Sequence, residues 1–250
     1  VAIGLLCVAF LGLPSSGFTA APKKPAARTV IREENAKAGA LDWQLTRVRV
    51  DKNEFRSPLI EGYCSRQSVK AGESLEVMVS TDPPRAFNLE IFRMGYYGGR
   101  GARLMQQLGP FNGKTQPTPT PAAKNLHECA WESATRLTIP KDWVSGVYLG
   151  RLTTVPNAAN EPYWQSYVVF IVRDDRPADI LFQCSDNTWQ AYNRWPDNFS
   201  LYDNDESQWA LKSAIRVSYD RPYGKYCQIL DAPQSQGSGE FLLWEFPFVY

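Results

Sequence analysis

The sequence predicts a fold in two parts, a β-sandwich followed by the start of an α/β domain. Three observations predict it. From Leu59 to about Val172, short runs of alternating apolar and polar residues recur between turn signals, the pattern of antiparallel sheets with one buried face. The continuous apolar run Tyr167 to Val172 is then broken by Asp174-Asp175-Arg176-Pro177, which places a domain junction at Arg176-Pro177. Beyond it, Ile180-Leu181-Phe182 leads into a segment crowded with hydroxyl, amide and phenol groups, as at a strand end in an open α/β sheet.

Each element follows in order. Val1 to Leu13 is an apolar run closed by Pro14-Ser15-Ser16-Gly17, too short for the ~20 residues of a membrane span and shaped like the core and cleavage region of a secretory signal. It lacks a basic leader, so residues 1–20 read as a signal-like segment whose start is missing, with a buried strand or lipid-facing anchor as the other readings. Residues 21–58 read as a flexible N-terminal region, rich in Pro, Ala and Lys at its start. Within 59–175, Ser74 to Val79, Asn88 to Arg93, Arg136 to Pro140, Gly146 to Leu152 and Tyr167 to Val172 are expected strands, and an immunoglobulin-like sandwich accommodates them. Gly109 to Ala123, with Pro117-Thr118-Pro119-Thr120-Pro121, is an expected exposed loop. Met94 to Arg103 holds four glycines, two tyrosines and two arginines without the spacing of a phosphate loop, so it reads as a turn presenting aromatics or, failing that, as a ligand loop. After Pro177, Ala178 to Gln183 reads as a buried strand, Glu206 to Lys212 as a short helix and Ala214 to Tyr219 as a further strand. Phe241 to Tyr250 opens an apolar element and stops. Residues 178–250 are fewer than the ~100–150 of an ordinary domain, so the second part reads as C-terminally truncated.

Composition narrows the function. Lys and Arg total 27 against 26 Asp and Glu, a net charge of +1, which lacks the basic excess that nucleic-acid binding requires. Besides Cys7 there are four cysteines, an even number compatible with disulfides in an exported, secreted or periplasmic protein. Crosslinks that respect the domain boundary would be Cys64–Cys129 and Cys184–Cys227; reduced, buried thiols are the alternative. His127 is the sole histidine and lies in the sandwich part, so neither a Ser-His-Asp triad nor a histidine zinc site can be assembled in the second part as given.

The segment Cys184 to Trp195 is too polar for core and carries larger aromatics than a turn needs. It reads as a binding or catalytic loop, with an aromatic-rich packed loop as the alternative. The second part offers the carboxylates Glu245, Asp186, Asp203, Asp205 and Asp220 and an unusual set of tyrosines, Tyr192, Tyr202, Tyr219, Tyr223 and Tyr226. A phenol, with a pKa near 10, becomes an anionic ligand only beside a strong Lewis acid, and ferric iron is the ion best suited to phenolate.

Several of these motifs, taken together, carry a resemblance. Gly62-Tyr63, Ser68-Val69-Lys70-Ala71-Gly72-Glu73 and Ile91 to Arg103 resemble the sandwich part of the N,N-dimethylformamidase large (beta) subunit family. So do Ser185 to Asn193, Ser200-Leu201-Tyr202, Val217 to Tyr223 and Phe241 to Pro247, so that the resemblance covers roughly Leu59 to Tyr250. It implies an amidohydrolase on an amidotransferase-like α/β domain beside β-rich domains, with a mononuclear ferric iron held by two tyrosines and one glutamate. Carried onto this sequence, the ligands are Tyr192, Tyr202 and Glu245, with Tyr219 as the rival of Tyr202. All three ligands are expected to converge on one strand-end crevice. The implied chemistry is Lewis-acid hydrolysis of a small-molecule amide or amine-containing substrate. Asn193 and Asn187 would orient the carbonyl or stabilise the oxyanion, with turn capping as their alternative. Leu243 stands where a polar helper would be expected, a departure that points away from dimethylformamide itself. No membrane span is expected after signal removal, and a homo-oligomer stays open. The competing reading, from another class, is a non-catalytic carbohydrate or cell-surface binding protein that stacks sugars on Trp189, Trp195 and Trp209.

Overall fold

A computed structural model describes residues 29–48, 55–196, 201 and 216–224. In chain order the strands are β1 (Glu61–Cys64), β2 (Ser68–Lys70), β3 (Ser74–Ser80), β4 (Ala86–Met94), β5 (Ala102–Asn112), β6 (Ser133–Thr138), β7 (Gly146–Thr154) and β8 (Gln165–Arg173). A short helix α1 (Val30–Asn35) precedes them and α2 (Asp186–Tyr192) follows. They form two sheets, ordered β1-β3-β6 and β2-β8-β7-β4-β5, antiparallel except for the β2–β8 pair.

Period-two alternation divides the five-stranded sheet between two cores. In register, Ile91, Gly150 and Val168 form one row and Phe92, Leu149 and Val169 the next. The first row faces the three-stranded sheet, where Ile60, Leu75, Val77, Leu137, Tyr148 and Phe170 complete the inter-sheet core. Gly150 is required there by packing, since a Cβ would stand 2.6 Å from a Val168 methyl. The second row lies on the outer face, buried under Trp43, Leu45, Trp189 and Tyr223.

That outer layer corrects the reading of residues 29–48 as part of a flexible region, because they pack on the sandwich; residues 21–28 and 49–54 lie outside the described residues. Trp43 is buried, its Nε1 donates to the Arg100 carbonyl at 2.8 Å, and its own carbonyl accepts from the Tyr167 hydroxyl at 2.7 Å. Such contacts ask for a few large side chains, which the polar composition of the region concealed. On α1, the buried Glu34 accepts from Lys37 Nζ at 2.7 Å, Arg103 Nε at 2.8 Å and the Tyr97 hydroxyl at 3.0 Å. Tyr97 in turn accepts from the buried Arg93 at 2.8 Å. Tyr97 sits in the glycine-rich turn with φ of 42°, a left-handed conformation that costs a non-glycine residue about 1–2 kcal/mol; these bonds offset the cost. The turn closes the β4–β5 hairpin and receives α1, and only Tyr96 of its tyrosines faces solvent.

Further corrections concern the connections. Gly109 to Asn112 belongs to β5 rather than to a loop; β5 is an edge strand, where a proline costs no ladder bond. Cys64 and Cys129 are free thiols rather than a disulfide. Neighbouring residues on a strand point to opposite faces, and Cys64 enters the inter-sheet core while Tyr63 points outward to the cluster containing Cys129, Trp131 and Trp195. Burial pushes the Cys64 thiol up to about 12. The Cys184–Cys227 pairing lies outside the described residues at Cys227.

After β8, residues 174–185 contain neither helix nor strand. Ile180, Leu181 and Phe182, expected as a buried strand, are exposed. A strand exists through its ladder partners, and none of the described strands pairs with this triplet. Residues 216–219 are likewise irregular. Glu206 to Lys212, Phe241 to Tyr250 and the signal-like residues 1–20 lie outside the described residues. Among the described residues no helix is long and apolar enough to cross a membrane.

Candidate functional site

The segment singled out in the sequence as a loop is built around α2. Asp186 in its first turn complements the helix dipole, and Trp189, Gln190 and Ala191 bury it against the outer face of the five-stranded sheet. Tyr192, the last helical residue, is 42% exposed. The chain leaves the helix at Asn193, whose backbone is extended.

This exit is braced by a buried guanidinium. Arg221, 1% exposed, donates from Nη2 to the Gln190 carbonyl at 2.9 Å and the Asn193 carbonyl at 3.2 Å, and from Nη1 to the Trp195 carbonyl at 2.7 Å. Its Nε donates to Gln190 Oε1 and the Ser218 carbonyl, both at 3.2 Å. The last carbonyls of a helix have no partner within it, and here a cation at the negative end of the dipole supplies one. Asn193 completes the brace. Fully buried, it donates from Nδ2 to the Pro222 carbonyl at 2.9 Å and Gln190 Oε1 at 3.2 Å, while its Oδ1 accepts from Gly224 N at 2.8 Å and Trp195 N at 3.2 Å. Its amide is thus spent within the turn, the capping arrangement named above as the alternative to substrate contact. The structure gives it no free donor for an oxyanion. Gly224 is obligatory beside it, because a Cβ would lie 2.8 Å from the Phe55 carbonyl.

The sandwich anchors this turn. Glu61 at the start of β1, 1% exposed, accepts from Trp195 Nε1 at 2.8 Å and from Arg56 Nε at 3.0 Å, and the Arg56 guanidinium lies 5.1 Å from the Trp195 ring centroid. Segment 216–224 is tied to the loop before β6 by Cys129 N to the Asp220 carbonyl at 2.7 Å and by the Ser218 hydroxyl to Glu128 at 2.8 Å. Burial and the nearby Glu128 charge raise the Asp220 carboxyl above its usual range.

The expected ligands fare differently. Tyr202 and Glu245 lie outside the described residues, as do Tyr226 and Trp209, so the convergence of Tyr192, Tyr202 and Glu245 stands as an expectation. Tyr219, the rival of Tyr202, donates its hydroxyl to Asn187 Oδ1 in the first turn of α2. Tyr192 lies five residue steps along the helix from Asn187, a rise of about 7.5 Å and a rotation of about 140°, so the Tyr219 phenol is bound at the other end of α2 from Tyr192. Burial and then the Asp186 charge push Tyr219 up to about 12, opposite to what a phenolate ligand needs in the bare protein. Asn187 is exposed, with its amide nitrogen donating to no described residue. Among the described residues no group of three or more His, Cys, Asp or Glu side chains could hold a metal, and a site built on phenolates would not need one. Of the three expected ligands, Tyr192 is the one among the described residues.

Trp189 and Trp195 are buried, at 2% and 0% exposure, so neither can serve as the sugar-stacking platform of the binding-protein reading. His127 is buried beside the Asn125 carbonyl in the loop before β6. Sequence reasoning missed Arg221 and Gln190 as site-forming residues. Arg221 sits in the motif Val217 to Tyr223, yet nothing in that string distinguishes a buried guanidinium from a solvated turn residue.

No curated protein matches the chain. The family described as "N,N-dimethylformamidase beta subunit-like, C-terminal" matches residues 88–250, which run from within β4 through β8 and take in α2 and the Arg221 brace. That match spans more than half of the sequence, and the chain belongs to the N,N-dimethylformamidase beta subunit-like C-terminal family.

Proposed function

We propose that the chain is an exported, secreted or periplasmic hydrolase of a C–N bond in a small-molecule amide, with a mononuclear ferric iron held by Tyr192, Tyr202 and Glu245. Family membership over residues 88–250 carries the reading. The exposed phenol at the end of a braced helix supports it. In this reading residues 59–175 are an immunoglobulin-like sandwich and residues 178–250 belong to an amidotransferase-like α/β domain, with the junction at Arg176-Pro177.

A bound iron would supply Lewis-acid polarisation of the amide carbonyl and acidification of a water. The residues of the chain do the rest. Tyr192, through its phenol oxygen, would be one of the three residues that hold the cation. Asn187, with its amide NH₂ open to solvent and its oxygen occupied by Tyr219, would donate to a polar end of the substrate. Asn193 holds the turn rather than the substrate.

Iron uptake tests the proposal. The full chain loaded with ferric iron is expected to retain about one equivalent and to show a visible phenolate-to-metal band, which Tyr192→Phe weakens or shifts. Protein that binds no iron and shows no such band would overturn the metal reading. Release of amine from a panel of small amides, lost in Tyr192→Phe, is the companion measurement of the hydrolase reading.

A further inference from the structure

We infer that Arg221 is the positioning residue for Tyr192, an inference that rests on the proposed role of Tyr192 as a ligand. Tyr192 is the last residue of a helix of seven residues, so the backbone of that last turn sets the direction in which its side chain leaves the chain. The residues on both sides of it, Gln190, Asn193 and Trp195, give their carbonyls to one guanidinium at 2.7 to 3.2 Å. A planar fork with five donors fixes several acceptors in one relative geometry, which a rotatable ammonium cannot do. The fork is itself held in place: Ser218 and Gln190 Oε1 accept from Nε, and Asn193 joins Gln190 to Pro222 and Gly224. Trp195 then passes the constraint to Glu61 of the sandwich. Tyr192 itself stays 42% exposed, and the backbone from which it projects is held by the buried residues beside it.

The test is the substitution Arg221→Lys, which keeps the charge and loses the fork. 3-Fluorotyrosine placed at position 192 alone reports on the phenol in metal-free protein. Wild type is expected to give one ¹⁹F line, and Arg221→Lys a shifted or split one, while a label at Tyr96 in the glycine-rich turn does not move. An unchanged line at position 192 alongside a lowered melting temperature would overturn the proposal and leave Arg221 a purely structural residue. Should Arg221→Lys fail to fold, Gln190→Met, which removes one acceptor and spares the four carbonyls, decides in the same way: a moved line supports positioning and an unmoved line overturns it. Ferric loading of the wild type runs beside these measurements. Absence of iron there defeats the metal reading alone, whereas an unmoved ¹⁹F line defeats the positioning role alone.

Discussion

Two buried polar assemblies hold the additions to this sandwich, and they are built on different principles. At one end, Glu34 of α1 meets Lys37, Arg103 and Tyr97, with Arg93 behind them, so that cations and a carboxylate compensate one another. At the other, Arg221 meets four main-chain carbonyls and a side-chain amide. The first assembly docks a helix and can be switched off by protonating its carboxylate. The second answers to geometry, because the acceptors it collects among the described residues are fixed dipoles. A docking contact tolerates adjustment, whereas a turn that must aim one side chain does not, and the more demanding arrangement is found beside Tyr192.

Replacing Arg221 by Met is expected to have the largest effect. Several buried carbonyls would lose a partner together, at about 1 kcal/mol or more each, for a total of about 3–5 kcal/mol. Urea unfolding reads the loss, and a variant within about 1 kcal/mol of wild type would show that the brace contributes little.

Glu61→Gln tests the link between that brace and the sandwich. The amide oxygen can still accept from Trp195, but Arg56 loses its anionic partner beside a buried ring, at an expected cost of about 1–3 kcal/mol. Faster amide exchange at Trp195 and Asn193 in this variant, with the inter-sheet core unchanged, would place the link where the structure does.

The smallest effect is the dependence on pH. Burial alone would raise the Glu34 carboxyl, but bonds from Lys37, Arg103 and Tyr97 outweigh it and hold the group at about 2, below its ordinary 4.5. A carboxyl lowered by folding contributes stability that is complete above about pH 4.5 and is lost as the pH falls toward about 2. Thermal melts of wild type and Glu34→Gln between pH 6 and 2.5, values chosen to bracket that window, should converge as the pH drops (roughly, by the linkage relation). Curves that stay parallel would mean that Glu34 is not held by its partners.

Much of the sandwich was legible in the chain. Runs such as Ser74 to Val79 and Tyr167 to Val172 became β3 and β8 because period-two alternation and turn residues are local properties. The edge strand β5 was not legible through Gly109 and Pro110, since its place at the rim, which makes those residues tolerable, is a fact about neighbours. For the same reason Ile180-Leu181-Phe182 has strand composition but no ladder among the described residues. Membership of the dimethylformamidase-like family was likewise written in the order of the motifs, which a sequence match over residues 88–250 can read directly.

What the sequence by itself determined is therefore the β-rich pattern and the family. Tertiary structure alone decided that Cys64 and Cys129 face different cores, that Asn193 is spent on a turn, that residues 29–48 cover a sheet, and that Arg221 is buried beneath the exit of α2. The division has one physical cause. Alternation, turn chemistry and motif order are carried by adjacent residues, whereas the direction of a thiol, the partners of an amide and the burial of a charge depend on groups tens of residues away, brought together only when the sheets close.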